Sequence, residues 1–172
     1  IHKGKIINPI GIFYSKKHNL VLIHAILDIR GFEWELAEAV KKVVKTLEVK
    51  ELISIEGVAS TGGEELFCFQ SKEFEKLGAQ AVNESVIMGV TAALLLTEKN
   101  LSCLFAQTHS NMPDSRAAAK VLEFLEKYLK FEMNTKPLIL QAELFEAKVK
   151  NLLAQTNNSA SEQDKKQMSY LG

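Results

Sequence analysis

The sequence predicts a single α/β domain with a mixed or largely parallel sheet flanked by helices. Apolar runs of strand length alternate with stretches of helical periodicity, which is the pattern of strands joined by helices. One run, Leu20 to Ile26 (LVLIHAI), is apolar throughout, as expected of a strand covered on both faces. The 172 residues suit one domain, large enough to bury roughly 70% of the surface its unfolded chain exposes. No internal repeat interrupts this reading.

After Leu20 to Ile26, the residues Leu36, Val40, Val43, Val44 and Leu47 recur at helical spacing, with Glu38, Lys41, Lys42 and Lys45 opposite them, so a surface helix follows. Glu51 to Glu56 (ELISIE) reads as a short strand ending at Gly57, and ASTGGEE has the composition of a loop. Leu66 to Phe69 is a further strand. Ser85 to Thr97 (SVIMGVTAALLLT) is apolar nearly all round and long enough for a helix placed inside the fold, with Glu84 and Ser85 capping it. Leu101 to Gln107 is a strand and Thr108 to Asn111 a loop. A helix then begins near Pro113, where a missing N–H is harmless, and Asp114 complements its dipole. Its buried face is Ala117, Val121, Phe124, Leu125 and Tyr128; Arg116, Lys120, Glu123, Lys127 and Lys130 face water. A final helix is expected over about Leu138 to Leu153, with Leu138, Phe145, Val149 and Leu152 inward. The domain thus spans 1–155. Residues 156–172 (TNNSASEQDKKQMSYLG) have no apolar stripe before their last five residues and read as a flexible tail.

Twenty-one basic residues balance 21 acidic ones, so no bulk field draws nucleic acid or an anionic membrane to the surface. Ser85 to Thr97 is too short to span a bilayer, no secretory leader is seen, and a cytoplasmic protein is expected. Cys68 and Cys103 sit in the apolar runs LFCFQ and LSCLF and read as reduced core residues.

The candidates for chemistry are weak. His109, Ser110, Asp114 and Ser115 crowd one loop, but a triad needs a base hydrogen-bonded to a nucleophile and oriented by a third group, and Ser110 lacks a G-x-S-x-G elbow. The plainer reading is a helix start at Asp114 and Ser115 with His109 solvated. The loop STGGEE matches neither G-x-G-x-x-G nor the P-loop, and its glutamates stand where an anion would sit. His2, His18, His24 and His109 share no ligand spacing, so no metal site is expected, and His24 reads as a hydrogen-bonded core histidine. No catalytic set and no cofactor emerge.

The order of segments carries a resemblance. ELISIEGVAS, then EKLGAQAVNESVIMGVTAALLL, then a strand leading into PDSRAAAKVLEFLEKYL, then a helix with LFEAKVKNLL, resembles the proteasome assembly chaperone family in its archaeal form. The matched residues are Gly57, Gly89, Leu94, Leu95, Pro113, Asp114, Ala117 and Ala118, within about Leu20 to Ala154. The first glycine of the family's G-x-x-G pair is replaced. Further N-terminal strands with a glycine-rich turn are characteristic of the family and absent before Ile1, so a lack of N-terminal strands is expected.

The resemblance implies a phosphorylase-like α/β fold without catalytic residues and a non-enzymatic role, escorting proteasome α subunits. It also implies a docking tail. Some members end in a hydrophobic–tyrosine–any-residue motif, which Met168, Tyr170, Leu171 and Gly172 approximate with the tyrosine one place early; Lys165 and Lys166 precede them, suited to acidic rims on a partner. The alternative is a small-molecule enzyme acting on a nucleoside or phosphate ester, with a pocket lined by Ser60, Thr61, Glu64 and Glu84. Excess apolar helix surface predicts a homo-oligomer, with two-fold symmetry.

Overall fold

The structure is a computed structural model that describes residues 4, 6, 8–26, 29–59, 65–108 and 114–137, together with 139, 140, 143, 144, 147 and 148. It has the expected α/β architecture, with a mixed sheet flanked by helices. Two compact units can be distinguished, Ile1–Ser54 with Val82–Cys103 and Ile55–Ala81 with Leu104–Gly172.

The first unit opens with two strands the sequence reading treated unequally: β1 (Ile10–Ser15), which it missed, and β2 (Leu20–Ala25), which it expected. They form a two-stranded antiparallel hairpin with Ile12 opposite Ile23 and Phe13 opposite Leu22. Lys16 to Asn19 make the turn: Asn19 N–H donates to the Lys16 carbonyl at 3.4 Å, and Asn19 takes a positive φ of 46° that closes it. The expectation that Leu20 to Ile26 is covered on both faces fails, since Leu22 and Ile26 are each 54% exposed. His24 lies on the same strand and is exposed, so it is no core histidine.

Helix α1 (Glu33–Thr46) follows, with Glu33 and Glu35 in its first turn and Lys45 in its last, each favourable to the dipole. Gly31 N–H donates to Glu33 Oε2 at 2.9 Å, and Ala37 and Val40 form the buried stripe. Helix α1 packs against α3 (Gly89–Thr97). That helix is shorter than the sequence implied. Ser85 to Met88 are not helical, because Gly89 adopts φ +73°, a left-handed value that a helix cannot run through. The N-cap is Met88, with no side-chain cap hydrogen bond, so Glu84 and Ser85 do not cap it. Thr91 is buried, and its hydroxyl is hydrogen-bonded to that of Ser54 at 2.5 Å, tying α3 to β3 (Leu52–Ala59). Strand β3 runs through Gly57 instead of ending there. A Cβ at Gly57 would lie 3.0 Å from Thr108 Cγ2, which explains the glycine by close approach and not by a turn.

In the second unit, β4 (Leu66–Phe69) pairs in parallel with a two-residue β5 (Gln80–Ala81), joined by the short helix α2 (Lys72–Lys76). Neither α2 nor β5 was expected. Ser71 caps α2 by accepting from Phe74 N–H at 3.3 Å, and Gly78 at φ +100° stops it. The four-stranded sheet has the order β3-β6-β4-β5, and β6 (Leu101–Thr108) is buried from Leu101 to Ala106. That is the strand covered on both faces. Cys68 and Cys103 are buried reduced thiols, as expected.

Helix α4 (Ser115–Leu129) has Asp114 as its N-cap, the carboxylate accepting from Arg116 N–H at 3.1 Å and Ala117 N–H at 3.0 Å. Its buried face includes the expected Ala117, Val121 and Phe124, and Lys130 at φ 55° ends it. Phe124 and Tyr128 both meet the fully buried Phe74 edge to face, at centroid distances of 5.3 and 4.8 Å. Helical residues resume at Lys136. The expected inward residues of the last helix, Leu138, Phe145, Val149 and Leu152, lie outside the described residues.

Candidate functional site

The tail residues Lys165, Lys166, Met168, Tyr170, Leu171 and Gly172 lie outside the described residues, as do His109, Ser110, Ser60, Thr61 and Glu64. Of the rival enzyme pocket only Glu84 is described, and it is exposed. Asp114 and Ser115 take the structural role proposed for them. Asp114 holds two backbone N–H groups, and Ser115 is buried in the first turn.

Just before β4, Glu65 N–H donates to Gln107 Oε1 at 3.1 Å and Gln107 N–H donates to the Glu65 carbonyl at 3.0 Å. Beside this clasp is an open cleft of about 250 Å³, bounded by Glu65 and Gln80 on one side and Lys120, Glu123 and Lys127 on the other. Its lysines and glutamates alternate, so it presents no field of one sign to an anion or a cation. Among the described residues no group of three or more His, Cys, Asp or Glu is placed to hold a metal ion, and no helix is long and apolar enough to cross a membrane. Burial, with the charge of Glu75 in second place, raises the Cys68 thiol above its ordinary value of 9.0, which keeps it protonated and unreactive at neutral pH.

What the surface offers is apolar area. Of 18 large hydrophobic residues exposed among those described, 13 belong to the first unit, so the sticky surface is concentrated there. Ile12, Phe13 and Tyr14 are 58%, 59% and 64% exposed, while Phe32, the N-cap of α1, and Trp34 in its first turn are 66% and 55% exposed. Both faces of the hairpin take part, because successive residues of a strand point to opposite sides. The rings of Phe13, Tyr14, Phe32 and Trp34 are the most exposed aromatic side chains among the described residues. The sequence reading missed this surface, although the signal was present: IGIFYS and LVLIHA are two apolar runs separated by the four polar residues KKHN, which is a hairpin pattern.

The sequence pattern of the PAC2 family matches residues 1–153. The chain belongs to the PAC2 family. This agrees with the resemblance read from the segment order. Among curated relatives of this PAC2 chain is the uncharacterized protein MJ0106 of Methanocaldococcus jannaschii, 28% identical over 167 residues, covering 92% of this chain and 70% of the relative. Among solved structures, the fold is similar to PbaA of Pyrococcus furiosus, an archaeal homolog of proteasome-assembly chaperone. The TM-score is 0.77 at 22% identity, over 96% of this chain and 74% of that one. It is also similar to Pyrococcus furiosus PbaB, an archaeal proteasome activator, with a TM-score of 0.69 at 16% identity over 88% and 75% of the two chains.

Proposed function

We propose that this PAC2 protein is a non-catalytic assembly factor that binds proteasome α subunits in the cytoplasm and works as a homo-oligomer. The observation that carries the reading is the family match over residues 1–153, joined by a fold shared with an archaeal homolog of proteasome-assembly chaperone along 96% of the chain. The exposed aromatic surface of the first unit supports it, since a chaperone for subunits needs apolar area to offer. In this reading residues 1–155 are the folded α/β domain and 156–172 a docking peptide, with Tyr170 and Leu171 as anchors and Lys165 and Lys166 meeting acidic rims on the α subunits.

Co-purification with recombinant α subunits tests the reading: a complex is expected, and its absence at micromolar concentrations counts against it. Removal of Met168 to Gly172 is expected to weaken that complex without changing the melting temperature, with Tyr170→Ala causing most of the loss. Unchanged affinity after the deletion would move the binding surface to the folded domain.

A further inference from the structure

The β1–β2 hairpin has an open edge that fits a second copy of itself. Ile26 N–H donates to the Pro9 carbonyl at 2.9 Å, which makes residues 9 and 26 a hydrogen-bonded pair. Such pairs alternate along an antiparallel ladder, so 11 with 24, 13 with 22 and 15 with 20 bond inward. The backbone groups of Ile10, Ile12 and Tyr14 on β1 therefore point outward, as do those of Val21, Ile23 and Ala25 on β2. Among the described residues no strand takes up either edge. The two edges differ in cover: Ile10, Ile12 and Tyr14 are all exposed, whereas on β2 Val21 and Ile23 are half-buried and Ala25 alone is exposed. Neither strand carries a lysine, arginine, aspartate or glutamate, the residues that usually blunt an open edge.

We propose that β1 is the strand along which two copies of this chain join, paired antiparallel across a two-fold axis at Ile12 to give a four-stranded sheet, β2-β1-β1-β2. This deepens the self-association in the function proposed above, and rests on it. The sequence of β1 is complementary to itself in that register. Ile12 meets Ile12 of the second copy, and Ile10 meets its Tyr14, so one face gains a continuous apolar cluster. On the other face Gly11 meets Phe13 of the second copy. Within one chain the Phe13 ring already lies over Gly11, at 2.7 Å from where a Cβ would be. The pairing therefore asks each Phe13 ring to turn from its own Gly11 to that of the second copy. The outward groups of Ile10, Ile12 and Tyr14 supply about six main-chain hydrogen bonds in all.

The apolar area at this edge is modest, in keeping with an association that depends on concentration. At about 150–250 Å² for a wholly buried aromatic side chain and less for an aliphatic one, the exposed parts of Ile10, Ile12, Phe13 and Tyr14 on β1 set an upper limit on the order of 400 Å² per copy, so the contact lies at the small end of protein interfaces and leans on its main-chain hydrogen bonds. An acidic or basic partner finds no complementary charge on these strands.

The test is the oligomeric state of the full chain by light scattering and sedimentation, for the wild type, Ile12→Pro and Ile12→Lys. Ile12→Pro removes an outward N–H and no inward bond, and edge strands tolerate proline. Ile12→Lys sets two like charges together on the axis. The wild type is expected to associate with concentration, and each variant to weaken association at least about tenfold while keeping its circular dichroism. Leu96→Lys, at an exposed site on α3, is expected to leave association unchanged. A wild type that stays monomeric would overturn both this interface and the self-association in the proposed function. An oligomer indifferent to both Ile12 variants would overturn only the interface. Should the variants fail to fold, hydrogen exchange on the wild type decides. The amides of Ile10, Ile12 and Tyr14 are expected to be protected at high concentration and to exchange on dilution, and equal rates at both concentrations would refute the pairing.

Discussion

Phe74 is the residue on which the second unit's packing is most exposed to test. It has no accessible surface and stands edge-on to two rings, Phe124 at an interplanar angle of 88° and Tyr128 at 89°. Its own backbone is fixed by the Ser71 cap, so the ring cannot easily swing to fill a gap elsewhere. Phe74→Leu keeps aliphatic bulk but removes both edge-to-face pairs, each worth about 0.5–1.5 kcal/mol, and is expected to cost about 1–3 kcal/mol. Phe74→Ala also leaves a cavity and is expected to cost about 3–5 kcal/mol, a large share of a total stability of roughly 5–15 kcal/mol. Urea denaturation followed by circular dichroism measures both, provided the slope m is unchanged between variants. A double-mutant cycle with Tyr128→Leu isolates the ring pair and is expected to return a coupling of about 0.5–1.5 kcal/mol. A loss below about 1 kcal/mol for Phe74→Ala, outside the range for a filled aromatic site, would refute this account of the core.

Other consequences can be checked in the same way. Asp114→Ala removes the acceptor for two N–H groups of α4 and is expected to cost about 1 kcal/mol in urea denaturation, with Asp114→Asn retaining most of it. Thr91→Val keeps the shape of a buried side chain but strips the Ser54 hydroxyl of its partner; a loss of about 1–2 kcal/mol is expected, largely recovered by adding Ser54→Ala. The Cys68 thiol has a folded pKa raised by burial, so above the ordinary value of 9.0 the unfolded chain releases this proton first. Its contribution to stability is whole below pH 9.0 and declines as pH rises through the folded pKa, and Cys68→Ala is expected to flatten that alkaline decline in thermal melts.

The sequence made some of these elements plain and hid others for physical reasons. Helices α1 and α4 were legible because each carries a long apolar stripe with charges opposite, and Asp114 sits where a cap belongs. Strands β4 and β6 were legible as short apolar runs between polar segments. Helix α2 was not, because five residues are too few to display a helical period; only Ser71 and Gly78 at its ends marked it. The start of α3 was misread because apolar content continues through Val86 and Met88 while the backbone does not, and hydrophobicity alone does not reveal a positive φ at Gly89. The exposed hairpin was the costliest omission. An apolar run implies burial against something, and LVLIHA was taken as buried in its own chain when Leu22 is more than half exposed. In the tail, Met168, Tyr170, Leu171 and Gly172 were read from their resemblance to a docking motif, and Lys165 and Lys166 from their charge beside it.

Helix α3 is finished unequally at its two ends. At the C-terminal end the Thr97 hydroxyl donates to the Ala93 carbonyl at 3.0 Å and approaches that of Leu94 at 3.3 Å, while Glu98 N–H donates to the Leu94 carbonyl at 2.7 Å. At the other end no side chain accepts from the first turn, and the entering residue is a glycine with the largest backbone freedom to regain. Local opening is therefore expected to start at Gly89 rather than at Thr97, with the Thr91–Ser54 hydrogen bond opposing its spread, an order that amide hydrogen exchange would read. Val86 and Met88, just ahead of that uncapped end, are 85% and 74% exposed, so apolar surface and the weakest point of α3 fall together in the first unit.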